Sequence, residues 1–417
     1  MGEWTSTPGV TEYRSTWTWP RSVQRERERR PADRVMASLL IYLLVFGALF
    51  FGVSYLMTRG TLSVELRTSA ATVGTTEGEV ALVPYQRNGA VGMISMITQD
   101  TFQVRLAAVN VQDGELLWDV QLTDELSGDG VVLAATERYS YVATDHGLVI
   151  LETLTGDTVA KGAEIDGLGE RAVLATSAYG YDQRTNAIVA LDTAGGTHVV
   201  PVGSTRARPA TKAVAAAHQG WVRSDDPFDD TVFDEYDETA ESIDTENGRT
   251  FALRASDTRL GRSRLEISSP SGGPVVRGPE FVDPSIVLEI EGRRVEPDKA
   301  GTGSPDVEPT FEPVRKPAGE AQGVVLVQHH TSVHDGGYHL SVLDAESGVL
   351  LDRVAMGGEV SRALSTESGA TVLFAAEPGE SYPDQLLVVN AGDVARRIEI
   401  GAVNLLGQPS GAGFGFW

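Results

Sequence analysis

Residues 338–357 read YHLSVLDAESGVLLDRVAMG, and this stretch decides how the chain folds. Leu340, Val342 and Asp344 alternate with His339, Ser341 and Leu343, the two-residue period of a strand. The apolar run then meets Asp344-Ala345-Glu346-Ser347-Gly348. Asp344 can accept hydrogen bonds from backbone N–H groups two or three residues on, and Gly348 can take the positive φ that closes a hairpin with a bulge. Val349-Leu350-Leu351 begins the return strand.

The same grammar recurs. Leu106–Leu122, LAAVNVQDGELLWDVQL, turns at Asn110 and Gly114. Further copies turn at Glu152 and Gly156, at Asp192 and Gly196, at Ser268 and Gly272, and, with a shorter gap, at Asn390 and Gly392. Successive turn glycines lie 42, 40, 76, 76 and 44 residues apart. A period of about 40 with two double steps is the spacing of four-stranded propeller blades. Unrelated hairpins of a β-sandwich, the competing reading, have no reason to keep such a period.

An apolar strand, an Asp or Asn, a two-residue gap, a Ser/Thr/Asp-Gly and a second strand resemble the quinoprotein-type (PQQ-like) β-propeller repeat. Leu106–Leu122, with Trp118 in the repeat's aromatic place, and Leu340–Gly357 carry the resemblance most fully. It extends over roughly 80–401 and implies an all-β fold, not a chemistry. Enzymes of that family use a Ca²⁺-bound quinone, an Asp and a stacking Trp, and many carry a vicinal disulfide. This chain has no Cys, and only Trp118, Trp221 and Trp417 follow the first 57 residues. No catalytic or cofactor-binding residue transfers by position, so neither PQQ nor another cofactor is expected.

The 417 residues suit one propeller of some 300 residues with additions at both ends. Forty-five Gly and 19 Pro fit a chain full of hairpins. Only Lys161, Lys212, Lys299 and Lys316 supply lysine, a bias expected of a GC-rich genome such as an actinobacterial one. The formal charge is −24, with +2 in residues 1–57 and −26 in the remainder. Such a domain should repel nucleic acid and anionic head groups, and the acidity also serves solubility.

Residues 1–35 are polar and are expected to form a disordered cytoplasmic tail, with six arginines between Arg21 and Arg34. Met36–Met57, MASLLIYLLVFGALFFGVSYLM, has no charge. Twenty-two helical residues reach roughly 33 Å, enough to cross a hydrocarbon core of about 30 Å. The arginines precede it, which places the N-terminus in the cytoplasm and the rest outside, on a single-pass plasma-membrane protein. No small-x-small cleavage site follows directly, so an uncleaved anchor is expected over a secreted product. Ala48-x-x-x-Gly52 permits close helix approach but is a weak match.

Residues 58–77 read as a juxtamembrane linker. Leu62–Leu66 and Ala402–Leu406 are candidates to pair and close the ring. The propeller, 78–401, divides into six blades, with seven as the alternative if two insertions near 225–263 and 292–321 conceal another. The first blade is expected to use strands near Val80–Pro84, Gly92–Thr98, Val104–Val109 and Leu116–Val120. Pro297, Pro305, Pro309, Pro313 and Pro317 mark the second insertion as an extended spacer. Residues 402–417 form a Gly/aromatic tail.

Two clusters are weak metal candidates. Asp225, Asp226, Asp229 and Asp230 offer the oxygens Ca²⁺ wants, but without EF-hand spacing, and bunched like charges usually stay solvated. His329, His330, His334 and His339 fall within eleven residues. Adjacent strand residues face opposite ways, so His330, His334 and Asp335 form the set that can share one side, short of a Zn²⁺ tetrad. No G-x-S-x-G, H-E-x-x-H or phosphate loop is present. The sequence therefore predicts a membrane-anchored extracytoplasmic propeller that serves as an interaction or scaffold module for a protein or cell-envelope partner. The competing class is a metal-dependent sensor or enzyme with its site in the central channel.

Overall fold

A computed structural model describes residues 21–58, 63–67, 69–89, 102–123, 129–219, 239–245, 247–294, 311–380, 382–390 and 393–402. Residues 1–57 and 58–417 are separate compact units.

The first unit is built on one helix, α1 (Arg21–Thr58). It starts 15 residues before the expected span, so Arg21–Arg34 are helical, which corrects the tail reading for that stretch. Arg, Glu and Gln are good helix formers. Within α1, Val35–Val53 has a mean hydropathy of 2.4 and none of it is buried.

The second unit is a β-propeller of antiparallel sheets. The first blade contains β1 (Ser63–Leu66), β2 (Ala71–Thr75), β3 (Gly78–Asn88), β4 (Phe102–Asn110) and β5 (Leu116–Thr123). The long β3 pairs β2 along one half and β1 along the other. Residues 63–66 and 71–75 are thus blade strands, not linker; Gly92–Thr98 lies outside the described residues. The second blade is β6 (Gly130–Ala135), β7 (Tyr139–Thr144), β8 (Gly147–Glu152) and β9 (Thr158–Lys161). The third is β10 (Tyr179–Asp182), β11 (Ala187–Leu191), β12 (Thr197–Pro201) and the short β13 (Arg208–Pro209), followed by α2 (Lys212–Gln219). Three 3₁₀ turns between residues 162 and 178 precede it.

A nine-stranded sheet holds the next two blades. β14 (Thr239–Ala240), β15 (Ser242–Asp244), β16 (Thr250–Asp257) and β17 (Arg262–Ser268) lead into β18 (Val276–Arg294). β18 is shared: residues 276–282 pair β17, and 282–286 pair β20 (Val324–Ser332) across a kink where Asp283 has φ 43°. β21 (Asp335–Asp344) and β22 (Leu350–Met356) complete the fifth blade. β23 (Arg362–Ser365), β24 (Thr371–Ala375), β25 (Gln385–Asn390) and β26 (Asp393–Glu399) form the sixth. The first insertion is smaller than expected. Residues 239–263 largely belong to blade strands, and β19 (Phe311–Pro317) pairs the end of β18 as a ribbon, from Leu288↔Pro317 to Arg294↔Phe311. Pro313 and Pro317 are tolerated because β19 pairs on one side only.

Apolar cores lie between blades. Leu106, Trp118, Val132 and Leu151 join the first to the second. Ile150, Ile165, Ile188 and Val200 join the second to the third. Phe251, Leu265, Val325 and Leu343 join the fourth to the fifth. Leu326, Val342, Leu373 and Leu387 join the fifth to the sixth. Tyr85, Ala107, Phe374 and Leu386 join the sixth back to the first. β1 pairs β3, and its Leu66 N–H donates to the Pro383 carbonyl at 2.7 Å; residues 403–406 of the other expected closing strand lie outside the described residues.

The repeat turn behaves as its residues require. Gly114, Gly156 and Gly348 have φ of 76°, 74° and 67°, and each donates its N–H to the Asn110, Glu152 or Asp344 carbonyl at 2.8 Å. Asp344 Oδ1 accepts from the Glu346 and Ser347 N–H groups. In the third blade the positive φ falls on Gly195 rather than Gly196. These turns also seat the neighbouring blade. A Cβ on Gly156 would lie 2.7 Å from the Trp118 ring, whose Nε1 donates to the Thr153 carbonyl at 2.9 Å. A Cβ on Gly114 would lie 3.2 Å from Ile398 on β26, which fits the closing seam.

Candidate functional site

The channel side is the first place to look for chemistry. The first strands of neighbouring blades lie side by side: β18 with β23, β23 with β2, β2 with β6, and β6 with β10. β2 (ATVGT) and β6 (GVVLAA) carry no titratable side chain. On β10, the Tyr179 hydroxyl donates to the Val173 carbonyl at 2.7 Å, and Asp182 pairs with Arg184 at 3.6 Å. Glu79 and Glu289 are buried, but both bind the hairpin between β23 and β24. Glu289 accepts from the Ser365 N–H (2.7 Å) and hydroxyl; Glu79 accepts from the Ser368 N–H (3.2 Å) and hydroxyl. These carboxylates stitch the sixth blade to the fifth and first.

The histidine cluster splits as strand geometry demands. His329 and His339 face each other across β20 and β21, with stacked rings 5.7 Å apart. His330 packs at a tilt against the Tyr338 ring on the other face, with centroids 4.3 Å apart. His334 is exposed at the hairpin tip, where its N–H meets Ser332 Oγ. His330 and His334 therefore converge on no shared cation position. Among the described residues no three His, Asp or Glu side chains form a metal-ligating group. Asp225, Asp226, Asp229 and Asp230 lie outside the described residues.

His329 Nε2 is 2.9 Å from Ser341 Oγ, and its Nδ1 is 2.9 Å from the His330 carbonyl. Burial pushes the imidazole down to about 4, so it is neutral at pH 7. Serine beside neutral imidazole is the pair that acyl transfer uses. Here Ser341 is fully buried and also accepts from Arg353 Nε at 3.3 Å. A hydroxyl that no substrate reaches is a packing element.

The sixth–first seam holds a polar group that sequence reading missed. Arg105 Nε donates to Asp119 Oδ1 at 2.8 Å, and the Tyr85 hydroxyl donates to Asp119 Oδ2 at 2.6 Å. Gln103 Oε1 accepts from Arg105 (2.7 Å) and Arg87 (2.6 Å). Burial and the Asp119 charge hold the Tyr85 hydroxyl far above the usual phenol range. Burial lowers the Arg87 guanidinium; it also opposes the Arg105 charge, which Asp119 more than restores. The available signal was Tyr85, Arg87, Gln103 and Arg105 at inward positions of otherwise apolar strands. A second buried pair, His198 Nε2 and Asp192 Oδ2 at 3.0 Å, sits on the third blade, and that hydrogen bond lowers the Asp192 carboxyl.

No protein-family model and no curated protein match the chain. Similar solved structures include the apo AtxE2 isopeptidase (9% identity, TM-score 0.36, 83% of this chain and 54% of that one). BamB from Moraxella catarrhalis gives 12%, 0.20, 74% and 80%, and the Cps50 (Swd1) β-propeller domain from Myceliophteria thermophila gives 9%, 0.23, 81% and 87%. The chain spans about half the length of the isopeptidase. At such values the propeller assignment stands on strand order and shared cores.

Proposed function

We propose that this protein is a single-pass, membrane-anchored propeller, six-bladed and of the PQQ-like repeat type. Its domain lies outside the cytoplasm and acts as a non-enzymatic interaction or scaffold module at the cell envelope. The observation that carries the reading is the channel side. Two of its first strands, β2 and β6, carry no titratable side chain, and Glu79 and Glu289 are committed to joining blades. The exposed apolar segment Val35–Val53 supports the anchor, since 19 helical residues reach roughly 28 Å. The −26 charge outside residues 1–57 favours a protein or neutral envelope partner over nucleic acid.

Calorimetric unfolding of the full chain in detergent, with Ca²⁺, Zn²⁺ or PQQ added separately, tests this. A ligand that binds only the native state adds about 2.7 kcal/mol at roughly 100 times its Kd. An unchanged transition is expected. A clear upward shift with any one of them would replace the scaffold with a metal or cofactor site. Carbonate extraction of membranes tests the anchor separately: release into the soluble fraction would refute it.

A further inference from the structure

The fifth blade carries a row of side chains that neither the blade cores nor the seams use. Val282 on β18 lies opposite His330 on β20, and His330 lies opposite Tyr338 on β21. Strand partners share a face, so the two rings meet. At one end of the row, the Tyr338 hydroxyl donates to Glu359 Oε1 at 3.3 Å, just past β22. At the other end, Asp283 sits in the kink of β18 with φ 43°. Its N–H donates to the Gly261 carbonyl at 2.8 Å, and its carboxylate takes the space that a Cβ on Gly261 would need. Burial raises the Tyr338 hydroxyl above the usual phenol range, and the Glu359 and Asp283 charges raise it further, so both carboxylates act on the same ring. The rings are half-buried and both carboxylates are exposed. Neither Asp283 nor Glu359 has an ion-pair partner among the described residues.

We infer that Asp283, His330, Tyr338 and Glu359 receive an arginine side chain from a basic segment of a partner protein. The inference rests on the interaction-module reading above and names the chemistry of its partner. Two carboxylates without a cation supply the complementary charge. A guanidinium fork meets a carboxylate edge-on while its flat face lies against an aromatic ring, and lysine offers neither fork nor flat face. The −26 charge outside residues 1–57 draws such a partner in. A metal ion is the weaker occupant, because Asp283, His330 and Glu359 do not converge as a ligand group.

The test uses the full chain in a nonionic detergent, with a labelled octapeptide of alternating Ser and Arg read by fluorescence anisotropy. The arginine peptide should bind more tightly than its lysine counterpart. D283N/E359Q should raise Kd about tenfold, and Asn tolerates the backbone at position 283, so the fold is kept. E77Q/E346Q removes the same charge from two exposed turns and should change Kd by less than about twofold. Y338L should raise Kd about threefold, a loss that charge alone does not produce. Equal shifts in the two double variants would reduce the binding to general attraction by an acidic domain and overturn the site. So would an arginine peptide that does not bind, or one that Ca²⁺ displaces from the wild type but not from D283N/E359Q. These outcomes refute the row alone; the non-enzymatic module itself stands or falls on the calorimetric test.

Discussion

The seam between the first and second blades and the seam between the third and fourth are built on opposite terms. At the former, Trp118 lies over Gly156, hydrogen-bonds the Thr153 carbonyl and joins a core drawn from both blades. At the latter, no core cluster among the described residues spans the two blades. The third blade turns Ala187, Val189 and Val199 toward α2, which covers them with Val214. The fourth blade turns Phe251, Leu265 and Phe281 toward the fifth, and its other face carries Arg254, Arg264, Glu266, Arg277 and Glu280. Among the described residues, apolar clusters join five pairs of neighbouring blades and none joins the third to the fourth. A propeller tolerates this because each blade is already supported on its other face.

The largest effects should come from emptying the stitched seams. Trp118→Ala removes a buried indole and orphans the Thr153 carbonyl, and is expected to cost about 3–5 kcal/mol. Asp119→Ala should cost a similar amount, because Arg105 is left charged and buried without its carboxylate. Urea midpoints of the full chain measure both; a loss below about 1 kcal/mol in either would mean that these seams do not hold the ring. Gly156→Ala should cost more than about 1 kcal/mol, since φ is 74° and the new methyl meets the Trp118 ring. In a Trp118→Ala background the same substitution should cost less, and equal costs in both backgrounds would refute the contact as its cause.

A pH effect follows from His329. Its folded pKa is depressed to about 4 by burial, against about 6.5 for a free imidazole. The unfolded chain thus binds the extra proton first. Stability from this residue is complete above about pH 6.5 and is lost as pH falls toward 4. His329→Gln should flatten the dependence of the urea midpoint across that window. An unchanged slope would assign it to other groups.

How much was legible divides along the same line. The regular half was readable because its turns obey one rule: Gly114, Gly156 and Gly348 each need positive φ, and each follows an Asn, Glu or Asp four residues earlier. β2 was missed because ATVGT is short and nearly apolar, and the tight Thr76-Glu77 turn leaves little to mark its pairing with β3. The start of the fourth blade was read as insertion because the acidic run continues into Asp244, which sits on β15. The Arg105–Asp119–Tyr85 group was not proposed because it draws on three strands. Strand alternation places each residue inward, but only register brings them together. The fate of His329 was half visible: opposite faces follow from adjacency, whereas burial under Phe281 depends on the kinked β18.

The smallest effect sharpens the contrast most. Arg254 lies directly opposite Arg264 on the polar face of the fourth blade, and like charges so placed repel. Arg264 is engaged by Glu280, and Arg254 has no ion-pair partner among the described residues. Arg254→Ala should therefore leave the urea midpoint within about 0.5 kcal/mol of the wild type, or slightly raise it. Arg264→Ala on the same face frees Glu280 in an exposed setting and should also cost less than about 1 kcal/mol. Both follow if this face contributes no apolar stitching to the third blade. A loss of 2 kcal/mol or more at Arg254 would mean that a buried partner holds it, and the polar seam would then be as tightly built as the one at Trp118.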